Sequence, residues 1–177
     1  MCAWAAAPEG KAKVRLETSK GAIVIELDAA KAPVTVENFL TYVRARHYDG
    51  TIFHRCIRNF MIQGGAWTID FRPRPGRNPI ANEAGNGLSN LRGTIAMART
   101  GEINSATSQF FINLVDNKGL DHRNESAEGF GYCVFGKVVE GTDVVDAIAA
   151  IPTGAGGQFD RDVPKEMVII TKATVVQ

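Results

Sequence analysis

Cysteine is scarce in this chain and neither sign of charge prevails, and each of these absences excludes a class of function. Only Cys2, Cys56 and Cys133 occur among 177 residues. They stand far apart, in no CxxC pair and in no Cys/His zinc spacing, so they read as free thiols and predict no metal site. Lys and Arg number 20 against 19 Asp and Glu, a net charge of +1. That balance removes the electrostatic case for a nucleic-acid or membrane-surface protein. No segment is long and apolar enough to span a bilayer. No GxSxG surrounds a serine, so Ser105, Ser108 and Asp121 compose no recognisable hydrolase triad. Gly154-Ala155-Gly156-Gly157 lacks the Lys and Ser/Thr of a phosphate loop and reads as a flexible turn. Proteins or peptides are the partners that remain.

A chain of 177 residues is long enough to bury one core without disulfides or metals, so one domain is expected. Residues 1–11 read as a flexible tail and residues 12–177 as the folded domain. The start, Met1-Cys2-Ala3-Trp4-Ala5-Ala6-Ala7-Pro8, is small and apolar, and Ala3-Trp4-Ala5 fits the small-x-small rule of signal cleavage. It lacks the basic start and the longer apolar run that export requires, so a cytoplasmic location is expected. The alternative is a periplasmic one, if the tail is the remnant of a truncated export signal.

Alternation at Val14 and Leu16, then at Ile23, Ile25 and Leu27, predicts strands Lys13–Thr18 and Ala22–Leu27 joined through Ser19-Lys20-Gly21. Pro33 suits a first helical position, and Val36, Phe39, Leu40 and Val43 then recur on one face, predicting a helix to about Arg46. A second helix is signalled by Thr142 as N-cap, by a stripe of Val144, Val145, Ile148 and Ile151, and by Pro152 as its stop. Short β-type runs at 51–56, 61–63, 94–98, 110–114, 134–139 and 167–176 outnumber the helices. Such strands avoid exposed edges by closing into a barrel, with helices at its open ends. The segment from Ala66 to Arg77, with Trp67 and Arg72-Pro73-Arg74-Pro75-Gly76-Arg77, reads as a stiff, basic, solvated turn.

Chemistry concentrates in Phe53-His54-Arg55-Cys56-Ile57-Arg58-Asn59-Phe60-Met61-Ile62-Gln63-Gly64-Gly65, which seats a permanent cation and an amide among apolar side chains. The Arg55 guanidinium carries five donors and needs an acceptor. That acceptor is either an internal carboxylate or a ligand. A second amide, Gln109, directly precedes the paired aromatics Phe110 and Phe111.

Taken in order, Phe53-His54-Arg55, Phe60-Met61-Ile62-Gln63-Gly64-Gly65, Met97-Ala98-Arg99-Thr100, Ser108-Gln109-Phe110-Phe111-Ile112-Asn113 and Tyr132-Cys133-Val134-Phe135-Gly136-Lys137-Val138 closely resemble the cyclophilin family of peptidyl-prolyl cis-trans isomerases. The resemblance covers nearly the whole chain, from Val14 to Val176, and looks most like the bacterial branch. It implies a mainly β fold, a closed eight-stranded antiparallel barrel capped by two α-helices. It further implies a monomeric, cofactor-free isomerase that acts on proline-containing peptides and on unfolded or flexible proteins. Rotation about an X-Pro bond breaks no covalent bond, so it requires no nucleophile, metal or general base. On this resemblance Arg55 stabilises the twisted amide, and Gln63 orients Arg55 and the substrate carbonyl. Phe60, Met61, Phe111 and Leu120 form the apolar walls for the proline ring, and Ala98, Arg99 and Thr100 form the rim that pairs with the substrate backbone. Gln109 lines an adjoining channel, Tyr132 takes the pocket floor or rim where many members have His, and His54 supports the pocket. His47 and His122 are expected at the surface. Gly119 replaces a Trp that in many members contacts the inhibitor cyclosporin, so weak inhibitor binding is expected.

Overall fold

Strand alternation builds the first hairpin as the pattern predicts. The computed structural model describes residues 11–176, so the expected tail lies outside the described residues except for Lys11, as does Cys2. β1 (Lys13–Thr18) and β2 (Gly21–Leu27) pair from Lys13↔Glu26 to Thr18↔Gly21, which leaves Ser19-Lys20 alone as the turn. Val14, Leu16, Ile23 and Ile25 are fully buried. α1 (Pro33–Arg44) buries Val36, Phe39, Leu40 and Val43 and opens on Pro33. It ends before the expected Arg46, because Arg46 turns to a φ of 54° and reverses the chain.

The strands that follow are β3 (Thr51–Ile57), β4 (Met61–Thr68), β5 (Thr94–Met97), β6 (Phe110–Asn113) and β7 (Val134–Glu140). α2 (Thr142–Ala149) comes next, then β8 (Thr153–Gly156), β9 (Phe159–Pro164) and β10 (Ile169–Val176). Eight of the ten strands close antiparallel in the order β1-β10-β3-β4-β6-β5-β7-β2, and β8 and β9 form a separate hairpin. The barrel interior and both helices share one apolar core. The Phe39 ring from α1 lies 5.2, 5.7 and 5.1 Å from those of Tyr48, Phe110 and Phe135, and α2 adds Val145 and Ile148. The expected eight-stranded barrel with two helices is therefore the fold of this chain.

Five readings of the sequence need correction. Thr142 is the first residue of α2 and makes no capping bond; Gly141, at φ 85°, occupies the cap. A Cβ there would lie 2.1 Å from the Ala22 carbonyl oxygen, so only glycine fits. β4 runs on to Thr68 rather than ending at Gln63, since Gly64 and Gly65 carry no apolar signal that would mark a strand. Gly154-Ala155-Gly156 belongs to a paired strand, β8, and not to a flexible turn. The 66–77 segment is not freely solvated: Trp67 bridges Pro73, and Arg74 Nη1 donates to the carbonyls of Arg46 at 3.2 Å and His47 at 2.8 Å. His47 and His122 are likewise half-buried, with ring nitrogens 3.1 Å from the Gly65 carbonyl and 2.8 Å from that of Phe130. Cys56 and Cys133 are free and buried, and burial pushes their thiols up to about 12 and about 11.

Candidate active site

Successive residues of a strand face opposite sides, and here both sides of one wall are apolar. Ile62, Phe110, Ile112, Ile95, Met97, Cys133 and Phe135 face the barrel interior. Their neighbours Met61, Phe111, Ala96 and Val134 form a second cluster on the outer side of the wall, extended by Ile57, Phe60, Leu88, Ala98, Leu120 and Tyr132. Register then aligns the chemistry. Arg55 on β3 stands opposite Gln63 on β4, Gln63 opposite Phe111 on β6, Phe111 opposite Ala96 on β5, and Ala96 opposite Val134 on β7. One row across five strands thus leads from a cation through an amide to an apolar floor.

Above this row lies a cavity of about 140 Å³, lined by Arg55, Phe60, Met61, Gln63, Ala98, Arg99, Phe111, Leu120 and Tyr132. It is well below the roughly 300 to 1,000 Å³ of sites that hold a drug-sized ligand, so it suits a single small ring. All nine lining residues were expected from the sequence. Arg55 is exposed, and among the described residues its guanidinium meets no carboxylate. Its Nη1 donates to Gln63 Oε1 at 3.3 Å. The alternative of an internal ion pair is thereby excluded for the described chain.

The rim is fixed by Arg99. Its Nε donates to the Gly131 carbonyl at 3.0 Å, Nη1 to that of Thr100 at 2.9 Å and Nη2 to that of Ala127 at 2.8 Å. Its Cζ lies 4.9 Å above the Tyr132 ring, a cation-π contact. Tyr132 in turn sets its ring edge-on to Phe111 at 5.7 Å, and its backbone N–H donates to the Leu120 carbonyl at 2.9 Å. Gly119, next to Leu120, is exposed, and a Cβ added to it would meet nothing within 4 Å.

Three expected site residues do not line the cavity. Thr100 turns to Ser105, whose Oγ lies 2.9 Å from both its N and its Oγ1. Gln109 stands behind Gln63, accepting its Nε2 at 3.0 Å. His54, expected among the substrate-binding residues, points to the opposite side of β3 from Arg55. It is 4% exposed, lies 5.3 Å from the Phe159 ring and 6.2 Å from that of Trp67, and its Nδ1 has no partner.

Burial first, and the Arg55 charge second, push the His54 imidazole down from 6.5 to about 4. Between these values an unfolded chain binds a proton that the fold refuses, so this contribution to stability is complete above pH 6.5 and lost as pH falls to 4. At 1.4 kcal/mol per unit the loss amounts to about 3 kcal/mol. His47, also held down chiefly by burial, adds to it in the same sense. His54→Phe is expected to flatten the decline in denaturant-measured stability between pH 6.5 and 4, and an unaltered slope would refute this assignment.

Sequence reasoning missed the floor residues Ile57, Leu88, Ala96 and Val134. Ala96 and Val134 carry a signal, since they stand in the unbroken apolar runs Ile95-Ala96-Met97 and Cys133-Val134-Phe135, the pattern of a strand covered on both faces; Ile57, at the end of β3, and Leu88, outside the strands, carry none. It missed as well the polar brace under the cavity's edge. Asp121 Oδ1 accepts from the N–H of Asn90 at 2.7 Å and from its Nδ2 at 2.9 Å, while Asn117 Nδ2 donates to the Phe60 carbonyl at 2.9 Å. Leu120 and Phe60 are held in place by these bonds.

Comparison with known proteins agrees with this geometry. The model of the family described as cyclophilin type peptidyl-prolyl cis-trans isomerase/CLD matches residues 13–175. A peptidyl-prolyl cis-trans isomerase of Streptomyces antibioticus is 55% identical over 163 residues, covering 92% of this chain and 98% of the relative. Peptidyl-prolyl cis-trans isomerase B of Escherichia coli K12 is 54% identical over 162 residues, with the same coverage of both chains. A crystal structure of a Cryptosporidium parvum cyclophilin type isomerase, in the presence of the dipeptide Ala-Pro, superposes with a TM-score of 0.74 at 26% identity, covering 93% of this chain and 99% of the other.

Proposed function

Because this chain belongs to the cyclophilin-type peptidyl-prolyl cis-trans isomerases and to their bacterial branch, we propose that Arg55 and the cavity beside it carry the reaction. The protein accelerates rotation about X-Pro peptide bonds, which is slow because partial double-bond character must be lost at a barrier of roughly 18 to 20 kcal/mol. The observation that carries the residue-level reading is an exposed guanidinium, with an amide as its side-chain partner, at the edge of an apolar cavity of about 140 Å³.

The proline ring of a substrate enters between Phe60, Met61, Phe111 and Leu120, which supply apolar contact but no polar partner. In the planar ground state the prolyl nitrogen shares its lone pair with the carbonyl and accepts almost nothing. As the amide twists, the lone pair returns to nitrogen, and Arg55 donates to it. The bond exists only in the transition state, so it lowers the barrier rather than deepening the bound state. Gln63 keeps one of its two amide hydrogens on Gln109, leaving the other for the substrate carbonyl. Substrates are proline-containing peptides and unfolded or flexible proteins, an assignment supported by the Ala-Pro dipeptide of the Cryptosporidium relative.

Titration of the ¹⁵N-labelled protein with a short peptide containing one Ala-Pro bond tests where the ring sits. The largest shifts are expected at Phe60, Met61, Phe111 and Leu120, with His54 little moved. Shifts centred elsewhere on the barrel would overturn the assignment of the cavity.

A further inference from the structure

Two of the walls that seat the proline ring, Phe60 and Leu120, stand outside the strands of the barrel. Phe60 occupies the turn between β3 and β4, just after Asn59 at a φ of 59°, and Leu120 closes a short 3₁₀ turn, Lys118–Leu120. Each is tied to a strand end by one backbone bond, from Leu114 N–H to the Phe60 carbonyl and from Tyr132 N–H to the Leu120 carbonyl, both at 2.9 Å. Neither bond joins one wall to the other, but Asn117 does. Its carbonyl accepts the Leu120 N–H at 2.9 Å, and its Nδ2 donates to the Phe60 carbonyl at 2.9 Å. We propose that Asn117 is a positioning residue: it ties the Leu120 wall to the Phe60 wall and so fits the cavity to the five-membered ring of proline.

The surroundings fix the Asn117 amide in this pose. A carbonyl only accepts, so the atom facing Phe60 is Nδ2, and Nδ2 donates as well to Asn113 Oδ1 at 2.8 Å. Asn113 presents that oxygen because its own Nδ2 donates to Asn90 Oδ1 at 3.1 Å and to Thr94 Oγ1 at 2.9 Å. The Thr94 hydroxyl has to accept, since its hydrogen is on the Leu91 carbonyl at 2.7 Å. Asn90 in turn points Nδ2 at the Asp121 carboxylate, 2.9 Å away. The row of three amides thus meets an acceptor at each end, the Phe60 carbonyl and Asp121, and runs in one sense. Asn90 and Asn113 are 0% and 1% exposed, so neither exchanges its partners for bulk water. The Asn117 backbone is held too, its N–H donating to the Asn90 carbonyl at 2.7 Å.

Apolar walls hold planar and twisted proline alike, so Asn117 acts on binding and on the size of ring accepted rather than on rotation. A hydrophobic pocket fitted to its ligand discriminates one methylene by about tenfold or more. A pocket whose walls can part loses that discrimination.

The inference rests on the proline cavity assigned above, and the test separates the two. Its probes are two short peptides, one with an Ala-Pro bond and one with pipecolate, the six-membered homologue, in place of proline. Exchange NMR reads the catalysed interconversion of both. Wild type is expected to favour the proline peptide about tenfold or more in kcat/KM. Asn117→Ala is expected to raise KM for that peptide about three- to tenfold with kcat within about twofold, and to cut the preference for proline about threefold or more. The preference compares two rates on one preparation, so it does not depend on how much of the variant folds. Asn117→Asp keeps the shape but turns acceptors toward the Phe60 carbonyl and Asn113 Oδ1, and the same loss is expected. In the wild-type protein the Asn117 side-chain NH₂ hydrogens are expected to exchange with solvent about tenfold or more slowly than those of the exposed Asn78. A preference unaltered in both variants, a loss confined to kcat, or Asn117 hydrogens that exchange as fast as those of Asn78 would overturn the inference and leave the cavity's role intact. Peptide-induced shifts centred away from the cavity would overturn both.

Discussion

Replacing Arg55 with alanine is expected to slow isomerisation about tenfold or more while leaving peptide affinity within a few-fold. A hydrogen bond from a charged donor contributes about 1.5 to 3 kcal/mol, and each 1.4 kcal/mol of barrier is a factor of about ten in rate. Losing a bond made only in the twisted state therefore removes about one to two orders of magnitude from kcat/KM. Affinity persists because the walls Phe60, Met61, Phe111 and Leu120 are untouched. Folding is not at issue: Arg55 is exposed, and its side chain bonds only to Gln63 among the described residues. A thermal midpoint close to wild type is the accompanying expectation. Arg55→Lys keeps the charge but not the planar fork that holds Gln63 and a substrate nitrogen together, so it should recover only part of the loss. A protease-coupled peptide assay and the refolding of a proline-limited protein both read the effect. Turnover unchanged by Arg55→Ala in either would contradict the assignment and favour a proline-binding module.

The second large effect lies at the pocket edge. Gly119 leaves open space where family members with Trp have a contact for cyclosporin, so the native protein is expected to bind that macrocycle only weakly. Gly119→Trp is expected to tighten inhibitor binding about tenfold or more, with isomerisation within a few-fold of wild type. The position accepts a side chain, since a Cβ there meets nothing within 4 Å and the glycine is exposed. If about 100 Å² of the indole became buried against the inhibitor, the gain would be about 2.5 kcal/mol, enough for that change. Isothermal titration of both proteins decides the matter. A nanomolar native constant, or a variant no tighter than wild type, would show that the edge residue is not what limits the inhibitor.

Much of the site was legible because residue type and order along the chain carry it. Arg55, Gln63 and Phe111 fall on β3, β4 and β6, where strand pairing brings them into one row, with Met61 two residues before Gln63 on the same face and Phe60 in the turn before it. The closed barrel was legible for a similar reason: many short strands leave few other ways to hide their edges. His54 was placed with the substrate-binding residues through the Phe53-His54-Arg55 motif, although alternation along β3 turns it to the opposite side from Arg55. The β8–β9 hairpin that covers it, with Thr-Gly-Ala-Gly as its first strand, has no apolar pattern to announce it. Gln109 was placed in a channel adjoining the pocket by the resemblance; its bond to Gln63 depends on a diagonal contact that a linear sequence does not display. The cap of α2 was misread for a local reason, as Gly141 is required by its closeness to Ala22 on another strand.

The central claim is that Arg55 acts on the twisting amide and not on binding. It is tested most directly by exchange NMR on a proline peptide saturated with enzyme, where cis-trans interconversion on the protein is observed apart from association. Arg55→Ala is expected to slow the on-enzyme interconversion about tenfold or more at unchanged bound fraction. On-enzyme rates equal to wild type, with activity lost only through weaker binding, would contradict it.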